Sequence, residues 1–383
     1  MQSVAMKQNL NRCYYIDWLR VFAMFIVFIF HCGRFFDHDY WHVKNDVHSM
    51  VFSVITAFFH QWTMPLFFLL SGAASWFALG VKTPGQYLVA RFKRLLIPYL
   101  VGIILFIPPQ KYLEAIFYER FSGGYFQFLP NYFGSEFFRF IPDLRIFGYW
   151  GYHLWFLGFL FVFSLVLIPF SRYVQKKIQS ETLFFKKPAF LIILIAAVAI
   201  IQIALRPQFP DYLNWADSFY WMIFFIFGFA LFSNETFQAA FEKHAMKALI
   251  TGIIAFIIMG AWFFLGNLRF LVDHPAYSLS HLAMYTLFTL NTWAWIFFLL
   301  GIARRYFNSN SRILHYSNEA VLPFYILHQT IILIIGYFMV QLSMAIIVKF
   351  LIITILSFVS IMLLYEILKR NKVSRFILGI RLK

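Results

Sequence analysis

The chain has 383 residues, of which 62% are hydrophobic and 22% aromatic, whereas only 13% are charged. This composition, with a mean hydropathy of +0.72, excludes an ordinary soluble globular domain and indicates a polytopic membrane protein. The net charge of +16 is typical of nucleic-acid-binding proteins, but membrane topology accounts for where the basic residues lie, so we expect no nucleic-acid partner.

Ten apolar runs are long enough, or nearly so, to cross roughly 30 Å of hydrocarbon. Pro108 and Pro109 interrupt the third run, and the fifth and sixth are short, so the count is ten to within one helix. The sequence therefore predicts an all-α membrane protein that forms one domain over residues 1–383. The runs cover residues 14–36, 50–79, 95–117, 152–170, 189–205, 218–233, 247–266, 282–302, 320–340 and 343–367.

The basic residues predict which side of the membrane each loop occupies. With a cytoplasmic N-terminus, 22 of the 32 Lys and Arg residues fall on the cytoplasmic side, nine fall outside, and Arg20 lies within the membrane. Both termini are then cytoplasmic, including the tail 368–383, and the long loop 111–151 is external. The first run is too long for a signal peptide and has no cleavage site, so we expect it to remain as an anchor.

The first helix contains three costly polar residues. Arg20 and His31 are 11 positions apart, which leaves them about 20° apart around a helix and roughly 16 Å apart along it. Asp17 precedes Arg20 by three residues, within reach of an ion pair. Ionisable groups at membrane depth normally face a cavity, so this face is a candidate functional site. The alternative is a structural Asp–Arg pair with a hydrogen-bonded histidine.

Histidines cluster on the predicted outer side. The loop after the first helix includes His42, but its acids and histidines lack the spacing of a metal site, so we expect no metal and favour contact with an external substrate. His60, in the outer half of the second helix, lies at a height comparable with His31. For His60, a structural role and a functional role remain equally open.

A basic turn precedes the third run. Arg91 and Arg94 are three residues apart with Lys93 between them, and membrane topology alone accounts for their charge. Two guanidinium groups at this spacing also suit a polyanion such as a phosphorylated cofactor.

The long external loop is rich in aromatic residues and Gly, and we expect it to fold back on the protein. Its aromatic faces suit a sugar or a lid, although anchoring at the membrane interface is the commoner use. The loop leads into His153 and Trp155, which enter the fourth helix from the outside. His328 lies in the middle of the ninth helix, where an unpaired imidazole is costly.

Arg20, followed after ten residues by His31, resembles the Arg-x10-His motif of the membrane acyltransferase 3 family. Further resemblance to the glucans biosynthesis protein C branch of that family comes from WHV at 41–43 and LYEI at 364–367. Four other pieces occur in the family's order: MPLFFLLSG at 64–72, RFKR at 91–94, HLWFL at 153–157 and FYILH at 324–328.

The resemblance implies an acyltransferase of the bacterial cytoplasmic membrane that uses acetyl-CoA or succinyl-CoA. The acceptor would be a hydroxyl of an extracytoplasmic carbohydrate or glycolipid. Two departures limit the transfer of roles, because Leu160 replaces a glutamate of many relatives and Gln329 replaces a second histidine. We assign His31, Arg20 and Asp17 to catalysis, Arg91, Lys93 and Arg94 to the cofactor, and His42, His60, His153, Trp155 and His328 to the substrate.

A transporter that makes no bond is the alternative from another class, with the polar face of the first helix lining a permeation path. Proline and glycine interruptions do not recur at matched positions in two halves, which weakens the inverted-repeat form of that alternative. No feature of the sequence predicts an oligomeric state.

Overall fold

The computed structural model describes residues 13–136, 139–180 and 189–380, and every regular element in these ranges is helical. Two π-helical segments, Phe92–Leu96 and Tyr132–Glu136, and one 3₁₀ turn, Tyr152–Leu154, connect α-helices. The α-helices are α1 Tyr14–Gly33, α2 Met50–Val81, α3 Pro84–Arg91, α4 Ile97–Leu105, α5 Ile107–Phe117, α6 Tyr125–Asn131, α7 Ile146–Gly151, α8 Trp155–Ser180, α9 Ala189–Leu205, α10 Trp215–Leu231, α11 Glu235–Leu265, α12 Leu268–Asp273, α13 Leu279–Tyr306, α14 Arg312–Val340, α15 Ile346–Leu368 and α16 Lys372–Ile377.

Seven helical segments in the described ranges are long and apolar enough to cross a membrane, and they confirm an all-helical, multi-pass architecture. Two shorter apolar helices lie at Ile192–Leu205 and Trp215–Leu231. The number of crossings and the side of each terminus stay predictions. The seven segments are Tyr14–Gly33, Met50–Val81, Ile146–Ser171, Glu235–Leu265, Leu279–Tyr306, Arg312–Val340 and Ile346–Leu368.

The third predicted run, 95–117, is not one continuous helix. It begins earlier, at α3, where Thr83 and Gln86 form a capping box, and it continues through the π-helical segment into α4. The chain then breaks at Phe106, just before Pro108 and Pro109, because proline lacks the N–H that would continue the hydrogen-bond ladder.

Other helix ends extend beyond their apolar runs because polar first turns are helical as well. The clearest case is α11, which begins at Glu235 rather than 247 since the Asn234 side chain accepts from the Thr236 N–H. The segments 181–188, in the predicted linker before the fifth run, and 381–383, at the end of the predicted tail, lie outside the described residues.

α1 packs between α2 on one side and α13, α14 and α15 on the other. Its buried Phe28 meets Phe324 of α14 and Phe358 of α15 edge-on, with ring centroids 5.4 and 6.2 Å apart. Because neighbours cover α1 on several sides, its polar residues face the bundle rather than lipid alone.

α2 and α10 cross with their backbones in contact. A Cβ atom on Gly72 would lie 1.9 Å from the carbonyl oxygen of Phe225, and one on Gly228 would lie 1.9 Å from that of Leu69. Only glycine fits at these two positions, and small residues at such contacts let the two helices pack closely.

Candidate active site

Three histidines that are far apart in the sequence form a row inside the bundle. His31 comes from α1, His328 from α14 and His153 from the 3₁₀ turn before α8. Adjacent ring centroids are 4.9 Å apart for His31 and His328 and 5.0 Å apart for His328 and His153. His328 is fully buried, whereas His31 is half-buried, so His31 is the accessible end of the row.

The acceptors around His31 and His328 fix where each ring carries its proton. Nδ1 of His328 lies 2.6 Å from the Tyr325 carbonyl oxygen and must donate to it, which leaves a lone pair on Nε2. Nδ1 of His31 lies 2.8 Å from the Val27 carbonyl oxygen and 3.3 Å from Nε2 of His328, so its proton is shared between two acceptors.

The same tautomer leaves a lone pair on Nε2 of His31. No hydrogen bond to this nitrogen is present within the described ranges. A half-buried imidazole with one nitrogen locked as donor and the other open as acceptor has the arrangement of a general base.

Amide and hydroxyl side chains hold the row in place from the α5 side. The Gln110 Nε2 donates to the Thr330 hydroxyl at 2.8 Å and to the Phe106 carbonyl at 2.9 Å. Gln329 Nε2 donates to Gln110 Oε1 at 3.1 Å, and the Thr330 hydroxyl also donates to Phe106 at 2.9 Å. Gln329 therefore anchors α14 to α5, and Gln110 is a site residue that the sequence did not predict.

His153 closes the far end of the row. Its Nε2 lies 3.3 Å from the Ile326 carbonyl oxygen, and the Tyr325 hydroxyl donates to the His153 carbonyl. His153 is thus tied to α14 by both its ring and its backbone.

A carboxylate on the predicted outer side gathers three side chains above the row. Glu114 accepts hydrogen bonds from Tyr40 at 2.6 Å, His42 at 2.6 Å and Tyr152 at 2.7 Å. The His42 ring also stacks on Tyr152 at 4.5 Å. Burial and the bond to Glu114 raise the pKa of Tyr40 to about 12. Glu114 therefore ties the loop between α1 and α2 to the segment before His153, a role that no local sequence pattern indicates.

The loop residue Trp41 lies next to His42 and brings the same loop into contact with His31, the first histidine of the row. Its ring lies 6.1 Å from that of His31 and 4.7 Å from that of Phe35. Tyr152 lies between Glu114 and His153 in a strained conformation, with φ at +43°, which non-glycine residues rarely adopt. The sharp turn directs the Tyr152 hydroxyl to Glu114 and places His153 in the histidine row.

The predicted ion pair of α1 is confirmed. Nη1 of Arg20 lies 3.2 Å from Oδ1 of Asp17, and its Nη2 donates to the Leu70 carbonyl of α2 at 3.1 Å. Arg20 lies near the start of α1 and His31 near its end, so the guanidinium does not touch the histidine row. Its place suits a positioning role rather than contact with reacting atoms.

The basic turn lies at the same end of the bundle as the start of α1. Arg91 donates to the Ser75 hydroxyl at 2.8 Å and covers the Tyr87 ring at 4.8 Å, whereas Lys93 and Arg94 are exposed. Because Lys93 and Arg94 lie in a π-helical segment, each residue turns by less than in an α-helix. The side chains of Arg91 and Arg94 consequently diverge more than their spacing in an α-helix predicted.

Two predicted substrate residues lie apart from the histidine row. His60 stacks on Phe30 at 6.1 Å and lines a separate cavity of about 300 Å³. Trp155 is buried and stacks on Trp221 at 4.4 Å. No ring contact joins either side chain to the row within the described residues. The same ranges contain no group of three or more His, Cys, Asp or Glu arranged to hold a metal ion.

A larger crevice of about 800 Å³ lies between α1 and the helices α13–α15. Trp18 and Phe307 line one end and Phe324, which stacks on His328 at 6.5 Å, lines the other. Its walls are almost wholly apolar and exclude Arg20, so it suits hydrocarbon chains and offers little to satisfy amide groups.

A family described as "Acyltransferase domain" matches residues 14–366 of the chain. Similar curated proteins include the "Glucans biosynthesis protein C" of Salmonella heidelberg (strain SL476), which is 24% identical over 260 residues. That of Salmonella schwarzengrund (strain CVM19633) is 25% identical over 264 residues. Each match covers 64% of this chain and 65% of the relative, just under two thirds of the relative's length. No solved structure matches the chain.

Proposed function

Because the chain belongs to the family described as "Acyltransferase domain", we propose that it transfers an acyl group from acyl-CoA to a hydroxyl, with His31 as general base. Donor and acceptor reach His31 from opposite sides of the membrane. The observation that supports this proposal most is the open Nε2 lone pair of a half-buried imidazole whose Nδ1 proton is held by Val27 and His328.

The chemistry follows from that lone pair. The acceptor oxygen attacks the thioester carbonyl while Nε2 of His31 takes the hydroxyl proton. The resulting imidazolium keeps its Nδ1–H bonds to the Val27 carbonyl and to Nε2 of His328. When the tetrahedral intermediate collapses, the C–S bond breaks and the proton passes to the CoA sulfur, so the products are an ester and free CoA. An acyl-histidine intermediate is the alternative route and uses the same lone pair.

The donor enters from the cytoplasmic side in this proposal. Lys93 and Arg94 are exposed beside Arg91, and together they suit the phosphates of CoA. The pantetheine arm then extends along α1 past Arg20 toward His31, a distance of roughly 16 Å by helical rise.

The acceptor is proposed to be a glycan hydroxyl on the outer side of a bacterial cytoplasmic membrane. The printed name of the relatives refers to glucans, which makes a glucan-like acceptor the first choice. Acetyl and succinyl groups are both compatible with a base that acts only on the acceptor proton.

Purified full-length protein in lipid nanodiscs tests the proposal. Free CoA thiol is measured after mixing acetyl-CoA or succinyl-CoA with a linear β-linked glucose tetrasaccharide. His31→Gln keeps a polar side chain but removes the base, and we expect kcat to fall by roughly 10²- to 10⁴-fold. His315→Gln, at an exposed histidine far from the row, is the control and should retain activity. Undiminished thiol release by H31Q contradicts the proposal, whereas uptake of the sugar into vesicles without thiol release indicates a transporter.

The same preparation tests the donor site. Arg91→Ala with Arg94→Ala should raise the Kd for acyl-CoA, because two phosphate-binding charges are lost. Lys243→Ala with Lys247→Ala removes two exposed charges from the same predicted side and is the matched control. Equal donor affinity in the two double variants removes the docking assignment.

A further inference from the structure

A polar cavity lies between α2, α9, α10 and α13, apart from the histidine row. Its volume is about 300 Å³, at the lower limit of ordinary ligand sites. His60 lines it from α2, and Arg206 and Tyr212 line it from the connection between α9 and α10. Topology predicts that this connection lies on the outer side, where a glycan would arrive.

Several polar groups in this cavity have no hydrogen-bond partner among the described residues. They are the imidazole of His60 and the hydroxyls of Tyr212 and Tyr285. Tyr285 is only 6% exposed and lines the cavity, so a ligand reaches its hydroxyl through the cavity rather than across the outer surface. Tyr212 is 50% exposed and His60 is exposed as well, so their polar atoms lie at the open side of the cavity. A ligand that enters there meets three hydrogen-bonding side chains that have no hydrogen-bond partner in the described part of the chain, and this suits a ligand rich in hydroxyl groups.

The charges of the cavity cancel one another. Arg206 forms an ion pair with Asp217 and also donates to Gln202 Oε1 at 2.9 and 3.1 Å. Asp217 accepts in addition from the Leu213 N–H at 2.9 Å. The cavity therefore offers little net charge to a phosphate or carboxylate, and it favours a neutral ligand.

Aromatic rings form the remaining wall. Tyr212 lies 6.0 Å from Trp221, with the two ring planes at 84°, and Trp221 is backed by the buried Trp155. Rigid aromatic faces beside hydrogen-bonding groups suit a ring that is apolar on its faces and polar at its edge, as a pyranose is.

One side chain separates this cavity from the proposed base. The Phe30 ring stacks on His60 at 6.1 Å, and its centroid is 5.1 Å from that of His31. A sugar seated against His60 is therefore separated from the His31 ring by the Phe30 ring.

We propose that this cavity is the acceptor subsite and binds one neutral sugar ring of the glycan, with His60, Tyr212 and Tyr285 bonding its hydroxyls. The inference rests on the proposed function, since it assigns the place of the acceptor in that reaction. It also gives Trp155 a role, as the support of the aromatic wall rather than as a direct sugar contact.

Binding measured without turnover tests the inference. The full-length H31Q protein in nanodiscs is titrated with the glucose tetrasaccharide, and the Kd is followed by calorimetry. Tyr212→Phe and Tyr285→Phe each remove one hydroxyl and keep the ring, and each should weaken binding by roughly 2- to 10-fold, the value of one hydrogen bond. His60→Phe keeps the contact with Phe30 and should weaken binding similarly. Tyr306→Phe, at an exposed position of α13, is the matched control and should leave the Kd unchanged.

The outcomes separate the inference from the proposed function. Absence of saturable sugar binding, or a Kd unchanged by all three substitutions, overturns the inference. Failure of the proposed function appears differently, as sugar binding in wild-type protein without any release of CoA thiol. In the active protein the three variants should raise KM for the sugar more than they lower kcat, while the Kd for acyl-CoA stays constant. A purely structural effect would instead change both substrates alike.

Discussion

Replacing His328 by Phe tests whether His328 positions His31 or reacts itself. Phe keeps a ring in the fully buried site beside Phe324, but it removes Nε2, the second acceptor of the His31 proton. That contact is 3.3 Å long and competes with the 2.8 Å bond to the Val27 carbonyl, so it is the weaker of the two. A neutral hydrogen bond contributes about 0.5–1.5 kcal/mol, which predicts a fall in kcat of only roughly 2- to 10-fold.

The assay compares three variants by CoA release at saturating donor and acceptor. His31→Gln should lose roughly 10²- to 10⁴-fold, far more than His328→Phe. His328→Gln supplies an amide oxygen that can accept the His31 proton, so it should recover part of the activity that H328F loses. KM for the donor should be unchanged in both His328 variants, and thermal unfolding of each purified protein controls for damage to the bundle.

The size of the fall in kcat of H328F decides whether His328 positions His31 or reacts itself. If H328F is as inactive as H31Q while its unfolding temperature matches the wild type, His328 takes part in proton transfer or acyl transfer directly. The tautomer assignment, with the Nε2 lone pair of His328 serving only to orient His31, would then be wrong.

Two further changes test features around the site. Gly72→Ala places a methyl group 1.9 Å from the carbonyl oxygen of Phe225, which cannot move without its helix. We therefore expect the free energy of unfolding to fall by roughly 1–3 kcal/mol or more, measured by thermal unfolding. The control is Gly80→Ala, whose added methyl group meets nothing within 4 Å and should be neutral or stabilising in the same assay. Glu114→Gln weakens three charge-assisted hydrogen bonds, so the unfolding temperature should fall and KM for the acceptor should rise, while Asp46→Asn, at an exposed position of the neighbouring loop, should change neither quantity. An unchanged KM in E114Q would show that the hydrogen bonds of Glu114 do not affect acceptor binding.

Hydropathy predicted the helical runs well because lipid-facing helices are apolar throughout. It missed α3 and the first turns of α11, since these helices begin in polar segments whose caps, Thr83 and Asn234, are read only by a search for capping residues. Pro108 and Pro109 predicted an interruption near Phe106, but whether the helix kinks or breaks there depends on the neighbouring helices.

The candidate site was predictable in its parts rather than in its arrangement. Helical geometry alone predicted the Asp17–Arg20 pair, because both residues lie on one helix. His153 and His328 were candidates only because an unpaired imidazole in a membrane is costly in free energy. Their meeting with His31 joins residues as far as 297 positions apart, and no local pattern encodes such a contact. Glu114 was not identified from the sequence for the same reason, because its three partners lie at distant positions in the chain.

The anchoring of α14 has a consequence for how the protein is assembled. His328, Gln329 and Thr330 are consecutive polar residues in the middle of a candidate membrane-spanning helix. In an isolated helix, Nδ1 of His328 could still bond the Tyr325 carbonyl, but the contacts of these side chains with other helices would be lost in hydrocarbon. Their side-chain partners include His31 and Gln110, and both lie earlier in the chain. During synthesis these partners are inserted before α14 leaves the ribosome. The helix that completes the histidine row therefore enters a membrane that already contains the groups it needs, and the order of the chain lowers the cost of inserting it.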